Sequence, residues 1–295
     1  MIIGPNTPTN RSTTEVKKII LENYSRNKIS ESENRYLMHL LASKYPEYCD
    51  ECFNTGVKII ISKQFGAVTD DCECKRSYLK RVNYFKKLQS SNIPKKYLSF
   101  TIDQWVNPGR DNIERHHNDT SLTLVKNYMA GIKKFRDRGY GLFICGPNGV
   151  GKTFLACEIA KMAIWNNLTA RFYTLAKIIS LTIMGWRDED LRKNEIEQIE
   201  TCDMLVVDDA DKVYSTKTGL EIALFDNMFR ERVQNNRPVI ITTNIALDKT
   251  NMSFNQSIYS MFLEQSAEVI FVGADHRRKI SAQIKNDILS GKNNE

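Results

Sequence analysis

Eight consecutive residues carry the chemistry around which this chain is organised: Gly146, Pro147, Asn148, Gly149, Val150, Gly151, Lys152 and Thr153. They follow the pattern G-x-x-x-x-G-K-[ST]. Glycines let backbone N–H groups curl around phosphates, and a helix that starts at the loop adds the partial positive charge of its N-terminus. In such a cradle Lys152 reaches the β- and γ-phosphates of ATP, and the Thr153 hydroxyl binds Mg²⁺. The flanks agree with this chemistry. GLFIC before the loop reads as a strand, and TFLACEIAKMAIW after it reads as a helix whose Phe154, Ile159, Met162 and Ala163 suggest a buried stripe. A glycine-rich turn that matched by accident would lack this strand–loop–helix setting.

Two further strand ends supply partners for the cradle. Met204-Leu205-Val206-Val207 is a continuous apolar run leading into Asp208 and Asp209. A buried strand ending in carboxylates sets Asp208 beside the magnesium and its water shell. Asp209 is then placed to orient or deprotonate the attacking water. Many ATPases use Glu at that position; Asp is one methylene shorter, so slow turnover is expected. The bland alternative is a pair of surface aspartates at a strand end. The third run, Pro238-Val239-Ile240-Ile241-Thr242-Thr243, ends at Asn244, whose amide could touch the γ-phosphate or the water. Alone, an Asn there is more often a turn residue.

The elements that must position these groups follow from periodicity. Strands are expected at Gly141–Cys145, Ala170–Thr174, Cys202–Asp208, Pro238–Thr243 and Glu268–Val272, with helices beginning near Lys152, Leu175, Asp188 and Gly219. Short apolar runs alternating with helices imply a parallel sheet covered on both faces, with ligands at the carboxyl ends of its strands. The fold class is therefore α/β. The stretch NPGRDNIERHHND, with His116 and His117, reads as a polar loop.

Upstream, Thr14 to about Ser43 reads as helical. Cys49-x-x-Cys52 and Cys72-x-Cys74 follow, 19 residues apart, around β-like runs such as Val57–Ile61. Two close thiol pairs could converge on one tetrahedral Zn²⁺ and hold a small module together; buried apolar thiols or a redox pair are the other readings. Cys145, Cys157 and Cys202 fall in core elements and read as small hydrophobes. A basic amphipathic helix, roughly Lys75 to Gln89, comes next. It carries Tyr78, Val82 and Phe85 on one face, and Ser90 to Pro94 close it. Its Lys and Arg, with Lys95, Lys96 and the aromatics Tyr78, Tyr84 and Phe85, would suit single-stranded nucleic acid, although a solvated face is the commoner meaning of such a run. The expected division is residues 1–92 for this N-terminal module and 93–295 for the ATP-binding domain.

The chain has 295 residues and a formal net charge of +7. That charge fits nucleic-acid contact or simple solubility. No run is apolar enough for a signal peptide or a membrane span, so a cytoplasmic protein is expected, in a bacterium or a phage-infected cell.

With these residues in place, the sequence resembles the AAA+ ATPases of the DnaC/DnaI helicase-loader group and the related IstB-type transposition ATPases. The matching stretches are IPKKYLSFTIDQW (93–105), GPNGVGKT (146–153), LVVDDADK (205–212), RPVIITTN (237–244) and GADHRRK (273–279). The resemblance implies a P-loop AAA+ (ASCE) sheet with a short tail in place of a full lid. It makes Asn244 the sensor-1 residue and Arg277 or Arg278 the basic sensor-2-like position. It also implies a loader that oligomerises on a hexameric replicative helicase and places it on single-stranded DNA. Zinc-bearing N-terminal domains occur in DnaI-like loaders. Where the group usually carries an arginine finger, this chain has Met261, so a finger would have to be Arg230, Arg232, Arg277 or Arg278. The alternatives are an ATPase assisting a transposase and a nucleotide-switched adaptor that barely hydrolyses.

Overall fold

The computed structural model describes residues 57–62, 66–213, 219–247 and 256–290. The expected helical stretch at 14–43, and Cys49 and Cys52, lie outside them. The chain divides into two compact units, Met1–Phe85 and Lys86–Glu295.

In the first unit, the β-branched run of β1 (Val57–Ser62) pairs antiparallel with β2 (Gly66–Asp71), Val57 opposite Asp71 and Ser62 opposite Gly66. Cys72 follows, buried, and leads into α1 (Glu73–Gln89), the basic helix, which carries Cys74 and runs on into the second unit. Tyr84 and Phe85 are buried, and their rings meet edge to face at 5.4 Å. These two aromatics therefore serve packing and are not open faces for bases, which corrects part of the nucleic-acid expectation. Further along α1, Lys87 donates to both the backbone and the side-chain oxygen of Asn167. Among the described residues, no group of three or more His, Cys, Asp and Glu could hold a metal, and no helix is long and apolar enough to cross a membrane.

The second unit is built on five parallel strands in the order β4-β5-β6-β3-β7. They are β3 (Gly141–Cys145), β4 (Ala170–Thr174), β5 (Met204–Asp208), β6 (Val239–Thr243) and β7 (Ser266–Ile270). The three central strands are buried along their whole length, as continuous apolar runs require when helices cover both faces. One covering helix is α4 (Lys152–Trp165), against β4, β5 and β6. On the other face, α5 (Leu175–Gly185), α8 (Leu220–Gln234) and α9 (Gln256–Gln265) enclose the apolar cluster that includes Phe143, Val207 and Ile241. Between α5 and β5 lies a helical run of α6 (Glu189–Leu191), a π turn at Arg192–Ile196 and α7 (Glu197–Thr201). It starts one residue after Asp188, whose carboxylate caps it at Leu191 N, 2.9 Å. Cys145, Cys157 and Cys202 are buried, as small hydrophobes would be.

Two expectations are corrected. The histidine-bearing stretch forms part of α2 (Asn112–Ala130), followed by α3 (Ile132–Asp137). The Asp111 carboxylate accepts from Glu114 N at 2.8 Å, a cap that starts a helix in a sequence poor in apolar spacing. The last strand begins two residues earlier than the apolar pattern indicated, because α9 runs into β7 without a turn. It ends earlier because the backbone beyond it is captured by side chains of α2. The buried Asn118 accepts from Val272 N at 2.9 Å and donates to Val272 O at 2.8 Å, while Ser121 donates to Ile270 O at 2.6 Å. A sheet edge is thereby satisfied by a helix.

The aromatic heart of the second face is Phe143, Phe225, Phe229 and Phe262. Phe229 meets Phe262 edge-on at 4.9 Å and stacks on Phe225 at 5.8 Å. Phe229 is fully buried, so Phe229→Ala is expected to cost about 3–5 kcal/mol, read as a lower denaturant midpoint with an unchanged slope.

Candidate nucleotide-binding site

The loop between β3 and α4 is fixed from two sides. At Gly149 the backbone has φ +78°, and an added Cβ would lie 1.6 Å from Asp275 Oδ1. At Gly151 it has φ +96°, and an added Cβ would lie 2.5 Å from the Trp105 indole nitrogen. Only glycine meets both the left-handed backbone and the close approach. The Trp105 indole N–H donates to Val150 O at 3.2 Å, and His276 N donates to Gly149 O at 3.2 Å. Residues flanking the domain core on either side thus meet at the loop.

The segment ending at Trp105 is itself held by α4. Lys161 donates to the carbonyls of Tyr97, at 2.9 Å, and Phe100, and pairs with Glu158; both charged side chains are 7% exposed. Burial pushes the Glu158 carboxyl above its usual range, against the pull of Lys161. Phe154 adds ring contacts with Tyr97 and Phe100.

Inside the cradle, the buried Lys152 ammonium donates to Gly146 O and Pro147 O at 2.8 Å and to Asn244 Oδ1 at 2.9 Å. Desolvation lowers its pKa, opposed by the charges of Asp211, Asp209 and Asp208, with Arg277 adding to the lowering. Thr153 Oγ1 donates to Asp208 Oδ1 at 2.9 Å. The Thr242 hydroxyl donates to the same oxygen and accepts from Asp209 N at 3.1 Å. Asp209 has φ +54°, a left-handed conformation that costs a non-glycine residue about 1–2 kcal/mol and concentrates at functional sites. Asn244 donates through its backbone N, at 3.1 Å, and its Nδ2, at 2.8 Å, to the two oxygens of Asp211.

The structure therefore brings Lys152, Thr153, Asp208, Asp209 and Asn244 together, with β6 lying between the strands that carry the other two motifs. Arg277 is exposed but felt at Lys152; Arg278 is exposed on the same turn. Among the finger candidates, Arg232 is excluded, since it is fully buried and donates to the carbonyls of Ile199, Glu200, Cys202 and Pro238. Arg230 pairs with Asp226 at 2.9 Å. Met261 packs, partly buried, against the apolar cluster. Sequence reasoning missed Asp211, Thr242 and Trp105. The third acid of Asp208-Asp209-Ala210-Asp211 was a visible signal, and Trp105 and Thr242 lie within the stretches 93–105 and 237–244 that carry the family resemblance, though nothing there pointed to their contacts.

Strand, glycine loop, helix and two polar strand ends meeting at a buried lysine define a P-loop nucleotide-binding domain of the α/β class. The model of the family described as IstB-like ATP binding protein matches residues 119–279, more than half of the chain. The protein belongs to that family. A crystal structure of the DnaC helicase loader aligns with TM-score 0.51 and 19% identity, covering 60% of this chain and 99% of the other. A structure described as a DNA replication initiation factor aligns with TM-score 0.50 and 13% identity, over 70% and 58% of the two chains. A DnaI crystal structure gives 0.48 and 16%, over 63% and 94%. No curated protein matches the sequence.

The residues fit a bound triphosphate: a glycine-rich loop at the N-terminus of α4, one buried ammonium, and a hydroxyl–carboxylate pair suited to a divalent cation. Gly149→Ala is expected to weaken binding of a fluorescent ATP analogue at least about tenfold, since the new methyl must displace Asp275 and adopt a strained backbone.

Proposed function

We propose that this protein is an ATP-driven loader that places a hexameric replicative helicase on single-stranded DNA. What carries the reading is the joining of Thr153 to Asp208 and of Lys152 to Asn244 in a DnaC-like fold. The two aligned structures are a helicase loader and a DNA replication initiation factor.

In this reading Lys152 moves its ammonium to the β- and γ-phosphate oxygens, which are stronger acceptors than the carbonyls it now meets. Backbone N–H groups of residues 146–153 hold the remaining oxygens. Thr153 and Asp208 would hold Mg²⁺, which supplies charge neutralisation to the phosphates when bound. Asp209 accepts a proton from the water as its oxygen bonds to the γ-phosphorus and the bond to the bridging oxygen breaks, releasing ADP and phosphate. Arg277 contributes the sensor-2-like charge from the start of α10 (Arg277–Ser290), with Arg278 as its neighbour. The short reach of Asp209 and the apolar side chain at Met261 favour a slow switch, which needs different partner affinities in two nucleotide states rather than fast turnover.

Residues 1–92 would form the helicase-binding module, with Cys49, Cys52, Cys72 and Cys74 holding Zn²⁺, and residues 93–295 the AAA+ motor. Contact with single-stranded DNA would come from exposed lysines such as Lys86, Lys95 and Lys96 rather than from Tyr84 or Phe85. The match to the IstB-like model favours, as second reading, an ATPase that assists a transposase.

Co-purification with the cognate replicative helicase separates the two. A stable complex whose yield changes between ATP and ADP is expected. Failure to associate in either nucleotide, with assembly on duplex DNA instead, would contradict the loader reading and favour the second.

A further inference from the structure

Asp211 lies in the short helical turn Ala210–Val213, directly after the strand that delivers Asp208 and Asp209. Its carboxylate grips Asn244 at the end of the neighbouring strand with both oxygens, one on the backbone N–H at 3.1 Å and one on Nδ2 at 2.8 Å. This grip settles which end of the Asn244 amide faces the cradle. Nδ2 meets a carboxylate on one side, and Oδ1 meets the Lys152 ammonium at 2.9 Å on the other. The reversed amide would set oxygen against carboxylate and NH₂ against ammonium, two repulsive contacts in place of two charge-assisted bonds.

An Asn at this strand end could serve hydrolysis in two chemically opposite ways. It could donate N–H to the γ-phosphate, or it could present an oxygen that accepts a hydrogen bond from the attacking water. With Nδ2 engaged by Asp211, the oxygen is the end that points into the site. We infer that Asp211 is a positioning residue for ATP hydrolysis, which fixes Asn244 as an acceptor that orients the water. This rests on the proposal that the protein hydrolyses ATP. Asp211 also ties the ends of β5 and β6, so the carboxylates and the amide keep one relative position. Its charge at Lys152 offers a second route by which it could act, and the experiment must tell the two apart.

The test compares wild type with Asp211→Ala, Asn244→Ala and the double variant. It uses ATP turnover at saturation and the dissociation constant of a fluorescent ATP analogue, with thermal melting to show that each chain folds. Asp211→Ala is expected to lower kcat about tenfold while leaving nucleotide affinity within about threefold, and to add nothing in the Asn244→Ala background. Asp211→Asn, close in size, has one acceptor for two donors and is expected to lower kcat as well; it carries the test should the alanine variant not fold. Either Asp211 variant turning over like wild type would overturn the inference. So would a loss that persists undiminished without Asn244, which would place the effect on Lys152. In both cases wild-type turnover would leave the ATPase reading intact. A wild type that binds the analogue but does not hydrolyse ATP would overturn the reading and the inference together.

Discussion

The bond from the Thr153 hydroxyl to the Asp208 carboxylate is the contact on which the rest of this site depends. It joins the start of α4, the helix that follows β3, to the end of β5, although β6 lies between β3 and β5. Asp208 is a charge taken out of water, and a buried carboxylate persists only where hydrogen bonds replace its hydration. Thr153 and Thr242 both donate to the same oxygen. Thr242 stands on the intervening strand, so β5, β6 and the helix that follows β3 are all committed to one carboxylate. In the proposed reading, a threonine hydroxyl that can turn from carboxylate to cation would let that geometry receive magnesium without rebuilding the sheet.

The surroundings hold this centre from outside. Lys161 and Glu158, one turn apart on the helix that begins at the lysine of the cradle, staple residues 97–102 to it and so set Trp105 over the loop. Breaking such a buried pair by removing one partner typically costs about 3–5 kcal/mol, because the other charge is stranded. On the opposite flank, Asn118 fixes Val272 while Gly149 receives His276, which brings the start of α10 to the phosphate cradle. The loop is thus hydrogen-bonded to the residue that precedes an exposed helix. Its Ile280, Ile284 and Ile288 face solvent.

Much of this was legible in the residues. Continuous apolar runs ending in Cys145, Asp208 and Thr243 located the three central strands, and the glycine spacing located the cradle, because backbone conformation and burial act locally. What was not legible depends on distant partners. The polar segment around His116 and His117 forms a helix because Asp111 caps it and its few inward residues pair a strand edge, something periodicity does not register. Arg232, one of the finger candidates by residue type, closes a set of backbone carbonyls instead, as a planar five-donor group does well. Asp211 was visible as a third acid, but its partner lies 33 residues on, and only the sheet order makes them neighbours.

Titration of the full chain with labelled ATP, beside Lys152→Ala, tests the central claim most directly. Saturable binding by the parent and a loss of at least about tenfold in the variant is the expected result, since the Lys152 ammonium is buried inside the loop that would hold the phosphates. No saturable binding by the parent, or equal affinity of the two chains, would contradict the account.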